Sequence, residues 1–298
     1  MVLGAIWCLT TGGEPLLHDD FEDIYLYLKR QGLLVSLFTN ATLINHKHIE
    51  LFKKYPPRDL EVTVYGITPH TYAAVTRKPE LFQDFLHGVN LLLDNNVSVN
   101  LKNVTIQANL DEFTEIDDFC RQHSRDPFRF DPLIHLRFDR DEKRNAEIRK
   151  QRLSAELIAA LERLDEARFS ALENNCEKLL LTNKPESPNT SIFGCGAGVS
   201  DFIVSHNGYY RLCSSLWHPE CIEDLRKTSV RKARQALLPK VRAMQSNDPA
   251  FVQNCGACAL VILCIWCPAH AFLETGHMDK PCRYFCEVAE TRKASISS

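Results

Sequence analysis

The stretch Ala5-Ile-Trp-Cys-Leu-Thr-Thr-Gly-Gly-Glu-Pro15 is a short, mostly apolar run that two glycines end. A continuous apolar run of this length, stopped by glycine, is typical of a buried parallel strand. Residues 18–31 then have the periodicity of an amphipathic helix, and Gly32 ends it. The beginning of the chain therefore predicts a strand, a glycine turn and a helix.

The same unit recurs through the first half of the chain. Further strands are predicted at residues 33–38, 60–65, 97–104 and 132–138, and further helices at 44–55, 71–93 and 111–123. Repeated strand–helix units indicate parallel strands joined by right-handed crossovers. A doubly wound sheet and a (β/α) barrel both fit, and both build their ligand site from the turns after the strands.

Composition sets the outer limits of the interpretation. With 298 residues, 45% of them hydrophobic and 24% charged, the chain is long enough for two globular domains. The formal charge is −3, from 35 basic and 38 acidic residues. This balance gives no electrostatic argument for binding nucleic acid or an anionic membrane. No apolar run reaches the length of a membrane-spanning helix, so we expect a cytoplasmic protein.

The middle of the chain predicts a connection between two domains. Residues 139–152 alternate the two signs of charge and indicate a solvated connector, and residues 154–176 are helical in period. Residues 183–190 contain two prolines and no periodicity, which predicts a loop. We therefore expect one domain over residues 1–182 and a second over residues 183–298.

The second domain is rich in cysteine. Nine of the twelve cysteines lie at or beyond residue 195, and the stretch Cys255-Gly-Ala-Cys258-Ala-Leu-Val-Ile-Leu-Cys264-Ile-Trp-Cys267 contains four of them. No basic region precedes the short apolar stretch at the beginning, so no signal peptide is indicated and a disulfide framework is disfavoured. Paired CxxC motifs suit structural zinc, and the same thiolates suit iron–sulfur clusters. Local spacing alone leaves these two alternatives open.

A hairpin is predicted just before this stretch. Asn207-Gly208 lies between two apolar runs, at residues 202–205 and 209–212, which is a strong hairpin signal. Folding the two strands back would bring Cys195 and Cys213 close together. The other three cysteines, Cys8, Cys120 and Cys176, lie in apolar or helical surroundings and are predicted to be structural.

The turn after the first strand suits a ligand with a cationic group. Glycines without a Cβ let a ligand approach the backbone, and Glu14 offers a carboxylate to an amine. This segment, Gly12-Gly13-Glu14-Pro15, together with Thr39-Asn40-Ala41 after the next strand, resembles the radical SAM enzymes. The resemblance implies that the GGEP segment and Asn40 bind S-adenosylmethionine, and that Thr63 in Glu61-Val-Thr-Val-Tyr-Gly66 approaches its ribose. It also implies a partial parallel (β/α) barrel.

The last third resembles the SPASM domain that is appended to many of these enzymes. Cys195, Gly208 and Cys213 match the first part of its pattern, and Cys255, Cys258 and Cys264 match the second, although Cys267 follows one residue earlier than in the commoner spacing. The resemblance implies two auxiliary [4Fe–4S] clusters and favours iron over zinc. One cluster would take Cys195, Cys213 and Cys267, with Cys221 or an open site as the fourth ligand. The other would take Cys255, Cys258, Cys264 and Cys286, and Cys282 would be additional.

One part of the family pattern is missing from the 298 residues. The radical-generating motif CxxxCxxC occurs nowhere, and the partial match Cys282-Arg-Tyr-Phe-Cys286 has Ala289 where the third cysteine would stand. We interpret the sequence as an N-terminally incomplete version of a complete enzyme, in which the first strand–helix unit of the barrel is missing. The upstream frame would encode the motif within roughly 80–100 residues. The chain as given is expected to bind S-adenosylmethionine weakly and to be inactive alone.

The family mechanism is one-electron reduction of S-adenosylmethionine to a 5′-deoxyadenosyl radical, which abstracts hydrogen from the substrate. The resemblance implies a peptide or protein as the substrate, and an electron donor as a further partner. The alternative is a non-catalytic remnant that binds iron–sulfur clusters or zinc.

Overall fold

A computed structural model of the protein describes residues 4–180 and 189–296, and for residues 175–180 it describes only the backbone. The chain divides into two compact units, Met1–Ile134 and His135–Ser298. The predicted boundary at 182/183 lies outside the described residues, and the described residues divide at 134/135 instead. The helical region that follows residue 139 therefore belongs to the second unit.

The first unit alternates strands and helices. Its strands are β1 (Trp7–Thr10), β2 (Leu34–Thr39), β3 (Leu60–Val64), β4 (Asn100–Val104) and β5 (Arg129–Asp131). Its helices are α1 (Phe21–Arg30), α2 (His46–Lys54), α3 (Pro69–Thr76), α4 (Phe82–Asp94) and α5 (Phe113–His123). Short 3-10 helices lie at Pro15–Leu17, Pro79–Leu81 and Gln107–Glu112.

The five strands form one parallel sheet in the order β1-β2-β3-β4-β5. Each strand lies beside its neighbour in sequence, and the order never reverses. A doubly wound sheet would reverse its order at a switch point, whereas a barrel adds strands in one direction. The first unit is thus a partial (β/α) barrel, and the carboxyl ends of all five strands lie at one edge.

The two faces of this sheet differ in polarity. On the helix-facing side, Val35, Leu37, Val62 and Leu101 are almost fully buried. The opposite face carries polar and charged residues at alternate positions of the middle strands, among them Ser36, Glu61, Thr63 and Lys102. At the β1 edge, Ile6, Trp7, Leu9 and Leu34 are large apolar side chains that remain exposed.

The prediction of a last strand at residues 132–138 was wrong. The fifth strand is β5, which ends at Asp131 and pairs with β4 through Lys102↔Arg129 and Asn103↔Phe130. Pro132 follows immediately and has no N–H to donate to the β4–β5 ladder, so the pairing ends there.

The second unit combines six helices with a small antiparallel sheet in its described part. The helices are α6 (Glu142–Gln151), α7 (Ala155–Leu164), α8 (Glu166–Leu180), α9 (Val230–Arg242), α10 (Pro268–Thr275) and α11 (Arg283–Ile296). The strands are β6 (Ile203–Val204), β7 (Tyr209–Arg211) and β8 (Ile222–Asp224), in that order. A single π-helical turn, Phe251–Cys255, leads into the cysteine-dense stretch.

The predicted hairpin is confirmed. β6 and β7 pair antiparallel, with Ile203 opposite Arg211 and Val204 opposite Tyr210. Gly208 takes a φ of 81° in the turn, a conformation that glycine adopts without steric cost. Tyr210 and Leu212 are fully buried in the core beneath the hairpin.

A buried ion pair joins the long helices of the second unit. Arg292 on α11 donates from Nε and Nη2 to the two oxygens of Glu162 on α7, at 2.9 and 2.6 Å. Its Nη1 donates to the backbone carbonyl of Leu263 at 2.8 Å. Because Leu263 lies between Cys258 and Cys264, this arginine fixes the cysteine-dense stretch to both helices.

Within the described ranges, no helix has both the length and the apolar composition that crossing a membrane requires.

Candidate functional site

The Glu14 carboxylate holds the turn after β1 to the turn after β2. Thr39 Oγ1 donates to Glu14 Oε1 at 2.8 Å, and the Asn40 backbone N–H donates to Glu14 Oε2 at 2.7 Å. The backbone N–H of Leu16 also donates to Oε1, at 3.1 Å. A carboxylate has about four accepting positions, so one remains for a cationic ligand.

Two features leave the backbone of this turn accessible. Gly12 has a φ of +140°, which L side chains rarely adopt, and a Cβ built on Gly12 or Gly13 would meet nothing within 4 Å. Pro15 begins the 3-10 helix for which Glu14 is the N-cap. Thus Gly12 is required by backbone conformation, and the space over both glycines is open to a ligand.

The turn after β2 is fixed from behind by helix α4. Ala41 is buried in the left-handed region, with a φ of 63°, and a Cβ on Gly88 of α4 would lie 2.0 Å from the Ala41 carbonyl oxygen. Asn40 accepts hydrogen bonds on Oδ1 from the backbone N–H and hydroxyl of Thr42, at 3.0 and 2.7 Å. The Asn40 side chain therefore stabilises its own turn, while its backbone N–H contacts Glu14.

Thr63 lies half-buried on the polar face of the sheet, near the carboxyl end of β3. Its neighbour across the ladder is Lys102 on β4. Tyr65 follows on the same face, and burial raises the pKa of its phenol, with the negative charge of Glu14 raising it further. Because β1, β2 and β3 are parallel neighbours, the predicted residues Glu14, Asn40 and Thr63 all lie at or near the carboxyl-end edge of the sheet.

Sequence reasoning missed a charged cluster on the same face. Glu61, buried on β3, accepts an ion pair from Lys102 Nζ at 2.7 Å and another from Arg129 Nη2 at 2.7 Å. Lys102 also lies 4.5 Å from the centroid of the Phe38 ring. The cluster carries a net positive charge beside Thr63. The available signal was alternation, since Glu61 and Thr63 stand at alternate positions of the predicted strand.

In the second unit, Cys195, Cys213 and Cys267 form a first thiol group. Burial raises the pKa of the Cys267 thiol to about 11, and the charges of Cys213 and Cys195 raise it further. Cys195 is exposed, whereas Cys213 and Cys267 pack against the core below the hairpin. The fold therefore assembles this group from the start of the hairpin, its end and the N-cap of α10.

A second thiol group contains Cys255, Cys258, Cys264 and Cys286. Burial raises the pKa of Cys255 to about 12, and the charges of Cys286, Cys264 and Cys258 raise it further. Burial also raises the pKa of Cys264 to about 11, with Cys286 and Cys258 adding to the shift. Negative charge on Cys286, Cys264 or Cys258 would thus disfavour ionisation of Cys255, and bound metal would relieve that repulsion.

Two of these thiols accept backbone hydrogen bonds. The N–H of Trp266 points at Cys264 Sγ at 3.4 Å, and the N–H of His270 points at Cys267 Sγ at 3.3 Å. Such donors, one of them at a helix N-terminus, favour thiolate over thiol. Gly256, inside the first CxxC, is also necessary, because a Cβ there would lie 2.3 Å from the Asn189 carbonyl oxygen.

Cys221 and Cys282 occupy different positions. Cys221 is fully buried, 4.0 Å from the Met278 sulfur, and the charges acting on its pKa are those of Lys240 and Glu220. Cys282 is buried near the second thiol group, and its pKa rises to about 12 through burial, then Glu274, then Cys286. Cys282 is thus a fifth thiol beside the second group.

The three scattered cysteines remain apart from these groups where they are described. Cys120 is fully buried in α5 and Cys8 lies half-buried in β1, and burial raises the pKa of both. The side chain of Cys176 lies outside the described residues. Among the side chains that the structure does describe, no three His, Cys, Asp or Glu residues converge as ligands of a single metal ion.

A buried arginine accompanies the first thiol group. Arg211, on β7, is 4% exposed, and its guanidinium lies 3.5 Å from the centroid of the Trp217 ring. Burial lowers its pKa to about 10, and the charge of the Cys213 thiolate opposes that shift.

These features agree with what the chain resembles among known proteins. The model of the Radical SAM superfamily matches residues 7–120. Residues 7–120 are a radical SAM domain. The match covers all the elements from β1 to most of α5, including the Glu14 turn, the Asn40 turn and Thr63.

Two curated proteins are similar to this chain in sequence. The AdoMet-dependent heme synthase of Nitratidesulfovibrio vulgaris is 23% identical over 112 residues, which cover 38% of this chain and 30% of that protein. The subtilosin biosynthesis protein AlbA of Bacillus subtilis is 21% identical over 272 residues, which cover 86% of this chain and 57% of that protein. The chain thus spans about a third to a little over half of the length of these relatives.

A solved structure is similar in fold. The structure of native anSMEcpe with bound AdoMet and Kp18Cys peptide superposes with a TM-score of 0.60 at 12% identity. The superposition covers 98% of this chain and 83% of that one. At this identity the similarity establishes the fold alone.

Proposed function

We propose that this chain belongs to a radical SAM enzyme of the SPASM type that modifies a peptide or protein by radical hydrogen abstraction, although its 298 residues do not themselves contain the radical-generating CxxxCxxC motif. The support for the proposal is that two sets of cysteines in the second unit act on one another electrostatically: Cys195 and Cys213 raise the pKa of Cys267, and Cys258, Cys264 and Cys286 raise that of Cys255. The cysteines of one group lie up to about seventy residues apart in the chain. Their association therefore does not follow from closeness in sequence.

The two thiol groups suit [4Fe–4S] clusters. Thiolates are the ligands such clusters take, and the backbone N–H donors at Cys264 and Cys267 are of the kind that tune them. Cys255, Cys258, Cys264 and Cys286 would hold one cluster, and Cys195, Cys213 and Cys267 would hold three irons of the other. When bound, the clusters supply one-electron transfer. The protein's own part is to position the thiols and to shield them in part from water, Cys195 being the exposed one.

The first unit would bind S-adenosylmethionine at the Glu14 turn. The free accepting position of Glu14 suits the ligand's amino group, and Gly12 and Gly13 leave room for it over the backbone. Thr63, at the same end of the sheet, offers a hydroxyl to the ribose. Asn40 contributes indirectly, because its backbone N–H orients Glu14 and its side chain holds the turn.

The proposed substrate class rests on the relatives. AlbA is named for the biosynthesis of the bacteriocin subtilosin, and the solved structure of anSMEcpe contains a peptide beside AdoMet. We extend this to a peptide or protein substrate for this chain, with a separate protein as electron donor in the cytoplasm.

Metal analysis after anaerobic reconstitution tests the cluster proposal. We expect about eight irons and eight sulfides per chain, from two four-iron clusters. Cys264→Ser and Cys267→Ser should each lower the iron content by about half, because each removes a ligand of a different group. Cys8→Ser is the matched control and should leave the iron content unchanged. Stoichiometric zinc without acid-labile sulfide would reject the proposal.

Equilibrium dialysis with labelled S-adenosylmethionine tests the ligand site. Glu14→Gln keeps the shape and removes the charge, so affinity should fall by roughly tenfold to a hundredfold, the range for a hydrogen bond to a charged group. Glu50→Gln, an exposed change on α2, is the control. Equal affinity of the two variants would show that Glu14 does not contact the ligand.

A further inference from the structure

Arg211 is a buried cation with no carboxylate partner among the residues that the structure describes. It is 4% exposed on β7, two residues before Cys213. Its Nη1 donates to the carbonyl of Ser214 at 2.5 Å and more weakly to that of Cys213 at 3.5 Å. Its Nε is buried without a hydrogen-bond partner. Within the described residues, no carboxylate forms an ion pair with it.

An aromatic stack covers this guanidinium. The ring of Trp217 lies 3.5 Å from its central carbon, and Phe138 stacks on the far side of Trp217 with the ring centroids 4.2 Å apart. A cation over an indole face is stabilised electrostatically, and the second ring helps to exclude water. Carbonyls and rings nevertheless provide only partial charges, whereas a buried full charge normally requires an opposite full charge.

Cys213 is the residue that can provide that charge. Its backbone carbonyl accepts from Arg211 Nη1 at 3.5 Å, and as a metal ligand Cys213 would carry a thiolate two residues from that guanidinium. An iron–sulfur cluster with thiolate ligands is anionic, and each added electron increases its negative charge. A fixed cation beside one ligand therefore stabilises the reduced cluster more than the oxidised one.

We propose that Arg211 is the built-in counter-charge of the cluster at Cys195, Cys213 and Cys267, and that it sets that cluster's reduction potential above the value a neutral residue would allow. The inference rests on the proposed function, since it requires a cluster at the first thiol group. Arg211 acts through Cys213 and is a positioning residue. The stacked rings of Phe138 and Trp217 shield the Arg211 guanidinium from water and hold it close to Cys213.

A redox titration of the reconstituted full chain tests this role. The cluster is reduced by dithionite through mediators and followed by electron paramagnetic resonance, so that one electron enters and no bond forms or breaks. In Arg211→Met, the ratio of reduced to oxidised first cluster at a fixed potential should fall at least tenfold. For a one-electron couple, this equals a reduction potential lower by about 59 mV. Arg211→Lys, which keeps the charge, should stay within threefold of the unmodified protein.

Two comparisons make the test specific. Arg226→Met removes a cation from the loop after β8, where Arg226 pairs with Asp224, and should not shift the potential. The cluster at the second thiol group is an internal reference that Arg211→Met should leave unchanged. If Arg211→Met loses the first cluster, retention of the cluster at normal potential in Arg211→Lys still supports the role of charge.

The outcomes that would contradict the role of Arg211 differ from those that would contradict the proposed first cluster. A first cluster that is present in Arg211→Met with an unshifted potential would overturn the role of Arg211 alone. Loss of the cluster from both Arg211 variants would also overturn it, because shape rather than charge would then matter. Only about four irons per chain in the unmodified protein, unaltered by Cys213→Ser, would instead reject the proposed first cluster.

Discussion

Replacing Arg292 with methionine should destabilise the second unit and loosen the cysteine-dense stretch. The side chain of Arg292 is 8% exposed and that of its partner Glu162 is 1% exposed, so the pair is buried. Removing one member of a buried ion pair costs about 3–5 kcal/mol, because the other charge is left uncompensated. Glu162 would still form its ion pair with Arg168, at 2.9 Å, so we expect a cost near the lower end of that range. The Leu263 carbonyl would also lose its donor.

The expected loss is therefore about 3–4 kcal/mol of the free energy of unfolding. For a unit of this size, that corresponds to a fall in Tm of roughly 6–16 °C. Thermal unfolding of the anaerobically purified protein would be followed by circular dichroism, and iron release by a chromogenic chelator. Because Arg292 contacts the carbonyl between Cys258 and Cys264, iron of the second cluster should be released at a lower temperature than in the unmodified protein.

Matched variants isolate the ion pair. Arg283→Met removes an exposed arginine from the same helix, where it pairs with Glu287 one turn away, and should cost no more than about 0.5 kcal/mol. The double variant Glu162→Leu with Arg292→Met removes both buried charges and should recover much of the loss. A loss below about 1 kcal/mol for Arg292→Met, or no recovery in the double variant, would refute the reasoning.

Three further variants test other parts of the structure. Gly88→Ala usually stabilises a helix, but here the new Cβ would meet the Ala41 carbonyl, so thermal unfolding should show a loss of about 1–3 kcal/mol; a gain would contradict the close approach. His48 is buried with no hydrogen-bond partner for Nδ1, and burial lowers its pKa in the folded state. Below a pH of about 6.5 the unfolded chain gains a proton at His48 before the folded chain does. The contribution of neutral His48 to the free energy of unfolding is therefore fully present above that pH and is lost as the pH falls below it. Urea denaturation from pH 5 to 8 should show that loss, up to about 1.4 kcal/mol per pH unit, and His48→Leu should remove it; identical slopes would disprove it. Cys286→Ser should lower the iron content by about half whereas Cys282→Ser should not, and iron analysis giving the reverse would exchange their roles.

Local sequence signals were sufficient for most elements of the first unit. Short apolar runs predicted β1 to β4 within a few residues, because strand formation and its end depend on neighbouring residues. The exception was β5, where Pro132 ends the pairing rather than opening a strand. The repeating order indicated parallel strands but left two architectures open, since the lateral order of strands is a non-local property.

The candidate site was predicted in its residue types but not in its geometry. Glu14 was identified as an anchor, yet its hydrogen bonds with Thr39 and Asn40 depend on the parallel pairing of β1 with β2. Likewise, the Glu61–Lys102–Arg129 cluster exists only because β3, β4 and β5 are adjacent in register. Alternation on one strand could have suggested a polar face, but not which charges meet on it.

For this protein, the sequence by itself determined the strand–helix units, the Asn207-Gly208 hairpin and the number and spacing of thiols. These are short-range properties, set by backbone preferences and by periodicity within about a dozen residues. Only the tertiary structure decided which charges meet across the sheet of the first unit, and that Arg211 is buried with no carboxylate partner among the described residues. Both depend on which surfaces pack together, and packing is settled by the burial of the whole core rather than by any one segment.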